Sequence, residues 1–88
     1  MEIKDTLYQG LTKLEHKRVS EEKLQQHLRR LFKGDIIHFE KAQDLIDGED
    51  YRIDFACRNE ATNKEYDGSI WYAITRTKLM YITEVAID

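Results

Sequence analysis

The apolar period of this chain changes once. Between Ile3 and Ile46 apolar residues recur every three or four positions, and between Tyr51 and Val85 they alternate with polar ones. A period near 3.6 belongs to amphipathic helices and a period of two to half-buried strands. Helices are therefore expected first and an antiparallel β-unit after them.

The clearest helix is VSEEKLQQHLRRLF, residues 19–32. Ser20 is a good N-cap, since its hydroxyl can accept a bond from an orphan amide of the first turn. Glu21 and Glu22 put negative charge at the positive end of the helix dipole. Val19 and Leu24 have the spacing of a hydrophobic staple, and Leu24, Leu28, Leu31 and Phe32 make one apolar face. Gly34 follows as a terminator. Upstream, Ile3, Leu7, Leu11 and Leu14 step by four, four and three, which predicts a helix over residues 3–15. Gly10 inside it costs about 1 kcal/mol relative to alanine and marks a point where another backbone can come close. Downstream, Phe39, Ala42, Leu45 and Ile46 fall on one helical face, with Gly48 as terminator. These predict a third helix over residues 38–47, although DIIHF at its start also reads as a short strand.

From there Tyr51, Ile53, Phe55 and Cys57 alternate with Arg52, Asp54, Ala56 and Arg58, and SIWYAITR resumes the alternation after the polar stretch NEATNKEYDG. Two strands joined by that loop make a hairpin. TKLMYITEVAID is strand-like again, so a bend or bulge near Arg76 to Lys78 or a separate third strand is expected, and the absence of Gly, Pro or Asn there favours the bend. The predicted fold is α+β: three N-terminal helices followed by an antiparallel hairpin or small three-stranded sheet, in one domain over residues 1–88.

That element order resembles winged helix-turn-helix domains, over residues 3–76 and on the segments VSEEKLQQHLRRLF, HFEKAQDLID and YRIDFACR through SIWYAITR. The resemblance implies duplex DNA as partner, with the third helix in the major groove and the hairpin loop on the backbone. It assigns Lys41, Gln43 and Asp44 to the recognition helix and Asn63 and Lys64 to the wing. Charge adjusts that assignment. Residues 13–33 carry seven bases against three acids, whereas residues 35–50 carry one base against six acids. Phosphate attraction must then come from Arg29, Arg30, Lys33 and the Lys17-Arg18 connector, since phosphate contacts supply most affinity for DNA.

A second class is open: a protein-interaction module or inhibitor that presents the acidic third helix, through Asp44 and Asp47, or the aromatic hairpin, through Trp71 and Tyr72, because Trp and Tyr are enriched at interfaces. No catalytic set is legible. Cys57 is the single cysteine and lies on the apolar side of its strand, so it reads as a buried thiol. His16, His27 and His38 are each eleven residues apart, which is no metal-ligand spacing. No enzyme activity, metal or cofactor is expected. The N-terminus has no basic-then-apolar leader and no run reaches the ~20 apolar residues of a membrane span, so a cytoplasmic protein is expected. A chain of 88 residues buries only about 60 to 65% of its unfolded surface, which favours a homodimer.

Overall fold

The second helix does what its sequence asks. In the computed structural model, which describes residues 3–44 and 50–88, α1 (Ile3–Thr12), β1 (Arg18–Val19) and α2 (Glu21–Phe32) are followed by β2 (Gly34–Asp44), β3 (Asp50–Asn59), β4 (Glu65–Ile74) and β5 (Met80–Ile87). The Ser20 hydroxyl accepts from the Lys23 amide at 3.2 Å, closing the first turn of α2. Lys33 ends the helix in the left-handed conformation, its amide donating to the Arg29 carbonyl. Gly34 comes next because a side chain there would collide with the Arg58 carbonyl of β3.

The strands form one antiparallel sheet in the order β1-β5-β4-β3-β2. Both helices pack on the same face, α2 over β2 and β3 and α1 over β5. Leu24 and Leu28 are fully buried and Phe32 nearly so. Below them lie Ile53, Phe55 and Cys57 of β3, Tyr66, Ile70 and Tyr72 of β4, and Met80, Ile82 and Val85 of β5. Leu7, Leu11 and Leu14 complete the cluster from the α1 side, while Ile3, the first residue of that stripe, stays exposed. Gly10 is the crossing point of the helices: a Cβ there would strike the Leu31 side chain. The neighbour is thus a side chain of α2 rather than another backbone. Beside it, His27 Nε2 lies 3.1 Å from the Gly10 carbonyl. A carbonyl can only accept, so Nε2 carries the hydrogen.

The expected third helix over residues 38–47 is instead strand as far as Asp44, and residues 45–47 lie outside the described residues. β2 pairs with β3 from Gly34↔Asn59 to Asp44↔Asp50, with a bulge between Ile36 and His38. Phe39 stands opposite Phe55 and Ala42 opposite Arg52, so residues assigned to one helical face lie on opposite faces of the sheet. A spacing of three over so short a segment was outweighed by the β-branched Ile36 and Ile37 and by the β3 ladder. Three helices and a small hairpin therefore give way to two helices and five strands among the described residues. The winged-helix arrangement, with Lys41, Gln43 and Asp44 on a recognition helix, goes with them.

β3 alternates as read, and so does β4 from Ser69 onward; Glu65 to Gly68, expected in the loop, already pair with β3 and put Tyr66 in the core. At Arg76 to Lys78 the chain turns rather than bends: Thr75 donates to the Leu79 carbonyl at 2.8 Å and Lys78 to the Thr75 carbonyl at 3.0 Å. Lys78 takes φ 65° without being glycine, a conformation that costs an L-residue about 1 kcal/mol or more. In β5 a register shift pairs Trp71 with Glu84 and Tyr72 with Ile82, so Thr83 is the extra residue and Val85 returns to the core.

Removing the centre of the α2 stripe tests this packing. Leu28→Ala should cost roughly 2 to 5 kcal/mol and lower the melting temperature by about 10 °C or more. A thermal scan within a degree or two of the parent would contradict the buried position of α2.

Candidate nucleic-acid interface

Because Leu24, Leu28 and Phe32 turn α2 toward the sheet, the helical period puts Lys23, Gln26, Arg29 and Arg30 on the other side. Lys23, Gln26, Arg29, Arg30 and Lys33 are all exposed. The ion pairs among the described residues are His38–Glu40 at 3.5 Å, Lys41–Glu21 at 2.8 Å, Arg52–Asp54 at 3.0 Å and Arg58–Glu65 at 2.8 Å. None of them engages Lys23, Arg29, Arg30 or Lys33. Lys13, Lys17 and Arg18, on the connector before α2, are exposed and equally without a carboxylate among the described residues. Between that connector and α2 runs a groove of about 280 Å3, lined by Leu14, Val19, Lys23, Gln26, His27 and Arg30.

The β3–β4 turn docks on the end of α2. Asn59 Nδ2 donates to the Phe32 carbonyl at 3.1 Å, and Asn59 Oδ1 accepts from the amides of Ala61 and Thr62 at 2.9 and 3.0 Å. The Glu60 amide donates to the Lys33 carbonyl at 3.1 Å. One side chain thus shapes the turn and ties it to the helix whose last carbonyls it satisfies. Asn63 takes φ 63° at the tip, and Lys64 follows, exposed.

Arg29, Arg30 and Lys33 therefore share the end of α2, with the Lys64 turn docked there. Lys41 does not join them. It lies on β2, and the hydrogen bond and charge of Glu21 hold its ammonium pKa above the ordinary lysine value. Gln43 and Asp44 are strand residues opposite Tyr51 and Asp50, and Asp47 lies outside the described residues. Trp71 and Tyr72 point to opposite faces. Tyr72 is buried and stacked on Tyr51, with ring centroids 5.6 Å apart, and Trp71 is half-buried on the outward face. Lys23 and His27 were missed in the sequence, although with Gln26 and Arg30 they follow the i, i+3, i+4, i+7 spacing of one helical face.

The outward sheet face has the opposite character. Directly opposed residues share a face, which sets Glu40 beside Asp54 and Ser69, and Arg52 beside Trp71 and Glu84. Two adjacent carboxylates repel. Asp54 is compensated by Arg52 Nε at 3.0 Å and by the Ser69 hydroxyl, which donates to Oδ1 at 2.8 Å. The Arg52 contact is a charge contact, for Nε makes no aligned hydrogen bond. The unpaired bases of α2 thus lie on one side of the sheet and acids dominate the other. Among the described residues no three His, Cys, Asp or Glu are placed to hold a metal ion, and no helix is long and apolar enough to cross a membrane.

Comparison of the chain with protein-family models, with curated proteins and with solved structures finds no match.

Cys57 is fully buried under α2, and burial pushes its thiol from 9.0 up to about 12, with a smaller opposing influence from Arg29. Burial likewise raises the Tyr72 phenol. Groups that keep their protons longer when folded stabilise the fold fully below the unfolded pKa, and that stability is lost as pH rises toward the folded pKa. Denaturant midpoints should therefore fall from about pH 9 upward, and Cys57→Ala should remove up to about one proton from the slope. Equal slopes for parent and variant would mean that the thiol is not shielded from water.

Proposed function

We propose that this protein is a non-catalytic module that binds the phosphate backbone of duplex DNA through the solvent face of α2 and the connector before it. The observation that carries this reading is the exposed row of Lys23, Arg29, Arg30 and Lys33, none neutralised by a carboxylate among the described residues. A cation already paired must first give up its partner; an unpaired one exchanges only mobile counterions for phosphate, and their release drives binding. Lys64, on the turn docked at the end of α2, extends the row, while Lys41 drops out because Glu21 holds it. The acids of the outward sheet face lie on the far side of the sheet and do not oppose a polyanion on α2. Such a surface reads backbone rather than bases.

The alternative reading is a protein partner on the outward sheet face. It is carried by Trp71, which is half-buried there between Arg52 and Glu84. Tyr72 has no part in that surface, since it faces the core.

The two are separated by a titration with a labelled duplex over a salt series. About four phosphate contacts predict that affinity falls roughly a hundredfold between about 50 and 200 mM salt. Arg29→Glu with Arg30→Glu should abolish binding at low salt and leave the melting temperature near that of the parent, whereas Trp71→Ala should leave binding unchanged. No retention of the parent on duplex DNA at the lowest salt removes the proposal.

A further inference from the structure

β2 is the long open edge of the sheet. It spans eleven residues, pairs with β3 on one side, and has no strand on the other among the described residues. The opposite edge strand, β1, has only two residues. A long edge presents a row of unpaired N–H and C=O groups on alternate residues. Here it also carries an apolar side chain: Ile37, the extra residue of the bulge, is 41% exposed.

We propose that a second copy of this chain covers that edge, β2 pairing antiparallel with the partner's β2 about a two-fold axis at Phe39. Charge selects both the occupant and the register. A two-fold axis normal to the sheet opposes residues of the same face, so it must pass through a residue. Beyond the bulge, which ends at His38, the central choices are Phe39, Glu40 and Lys41. An axis at Glu40 sets two carboxylates against each other, and one at Lys41 sets two ammonium groups together; like charges directly opposite destabilise. An axis at Phe39 does neither. It pairs Phe39 with its own copy on the core side and sets each His38 against the partner's Glu40 on the outward face.

His38 and Glu40 already lie 3.5 Å apart within one chain, with side chains 54% and 67% exposed, so both are free to turn toward a neighbour. The same register sets Lys41 beside the partner's Ile37, where the lysine stem can cover the exposed apolar group. The two-fold axis leaves both α2 helices on one side of the joined sheet. The contact does not depend on what α2 binds.

Sedimentation of the purified protein without nucleic acid tests this. The parent should be dimeric. His38→Glu opposes the partner's Glu40 with a like charge, Glu40→Lys removes the carboxylate that the partner's His38 meets, and each should weaken the dimer about tenfold. Carrying both substitutions sets opposite charges across the axis in this register and should restore parental affinity. Circular dichroism confirms that each variant is folded, both positions being on the surface. A parent that remains monomeric up to about 0.1 mM, a dimer indifferent to the single substitutions, or a double variant no tighter than the singles overturns the proposal.

Discussion

Everything in this fold depends on the apolar stripe of α2 finding one continuous surface beneath it. Phe32 shows how the layers are joined. Its ring meets Phe55 of β3 edge-on and Tyr66 of β4 at a tilt, each at 5.8 Å between centroids. Its carbonyl holds Asn59 of the β3–β4 turn. One residue thus fixes the end of the helix, the middle of β3, the start of β4 and the turn between them. Aromatic pairs at such distances add to what their buried area contributes. The polar fastenings sit around this apolar seam: Ser20 at the start of α2, Glu21–Lys41 from α2 to β2, and His27 on Gly10 where the helices cross.

The separation of charge follows from the layering. Residues that cannot enter the seam must lie outside it, and in α2 these include Lys23, Arg29 and Arg30, with Lys33 just after. In the sheet, the residues between the buried positions of β3 and β4 include Asp54 and Asp67, and β2 and β5 add Glu40 and Glu84. What reads along the chain as a basic half followed by an acidic stretch becomes, in space, a basic layer on one side of the sheet and an acid-rich face on the other. Fields of this kind orient an approaching polyion before any contact forms.

The sequence was legible wherever one rule acted alone. Cap, dipole and stripe agree over α2, and strict alternation over β3 and β4 sorted Ile53, Phe55 and Cys57 from their outward neighbours. It misled where two periods overlapped. Phe39 and Ala42 are three apart, which suits one face of a helix, yet they belong to a strand whose partner, β3, sets their faces. That information is non-local, and residues 34–44 alone do not contain it. The turn before β5 was hidden for another reason: Lys78 adopts a left-handed conformation usually signalled by glycine or asparagine. At the candidate site, Arg29, Arg30 and Lys33 were legible from their place in the last turn. Lys23 and His27 needed the polar side of the helix to be traced as carefully as the apolar one.

The pairing of β1 with β5 has a consequence for how the polypeptide is made. Arg18 and Val19 find their partners only in Tyr81 and Met80, and α1 packs chiefly on that same strand. During synthesis the helices leave the ribosome long before the surface that buries them exists. Until β5 is translated, Leu7, Leu11 and Leu14 have no β5 to rest on, so the nascent chain carries that stripe uncovered. It is in that interval, rather than in the finished molecule, that the polypeptide is most open to capture by a chaperone or to association with its neighbours on the same message.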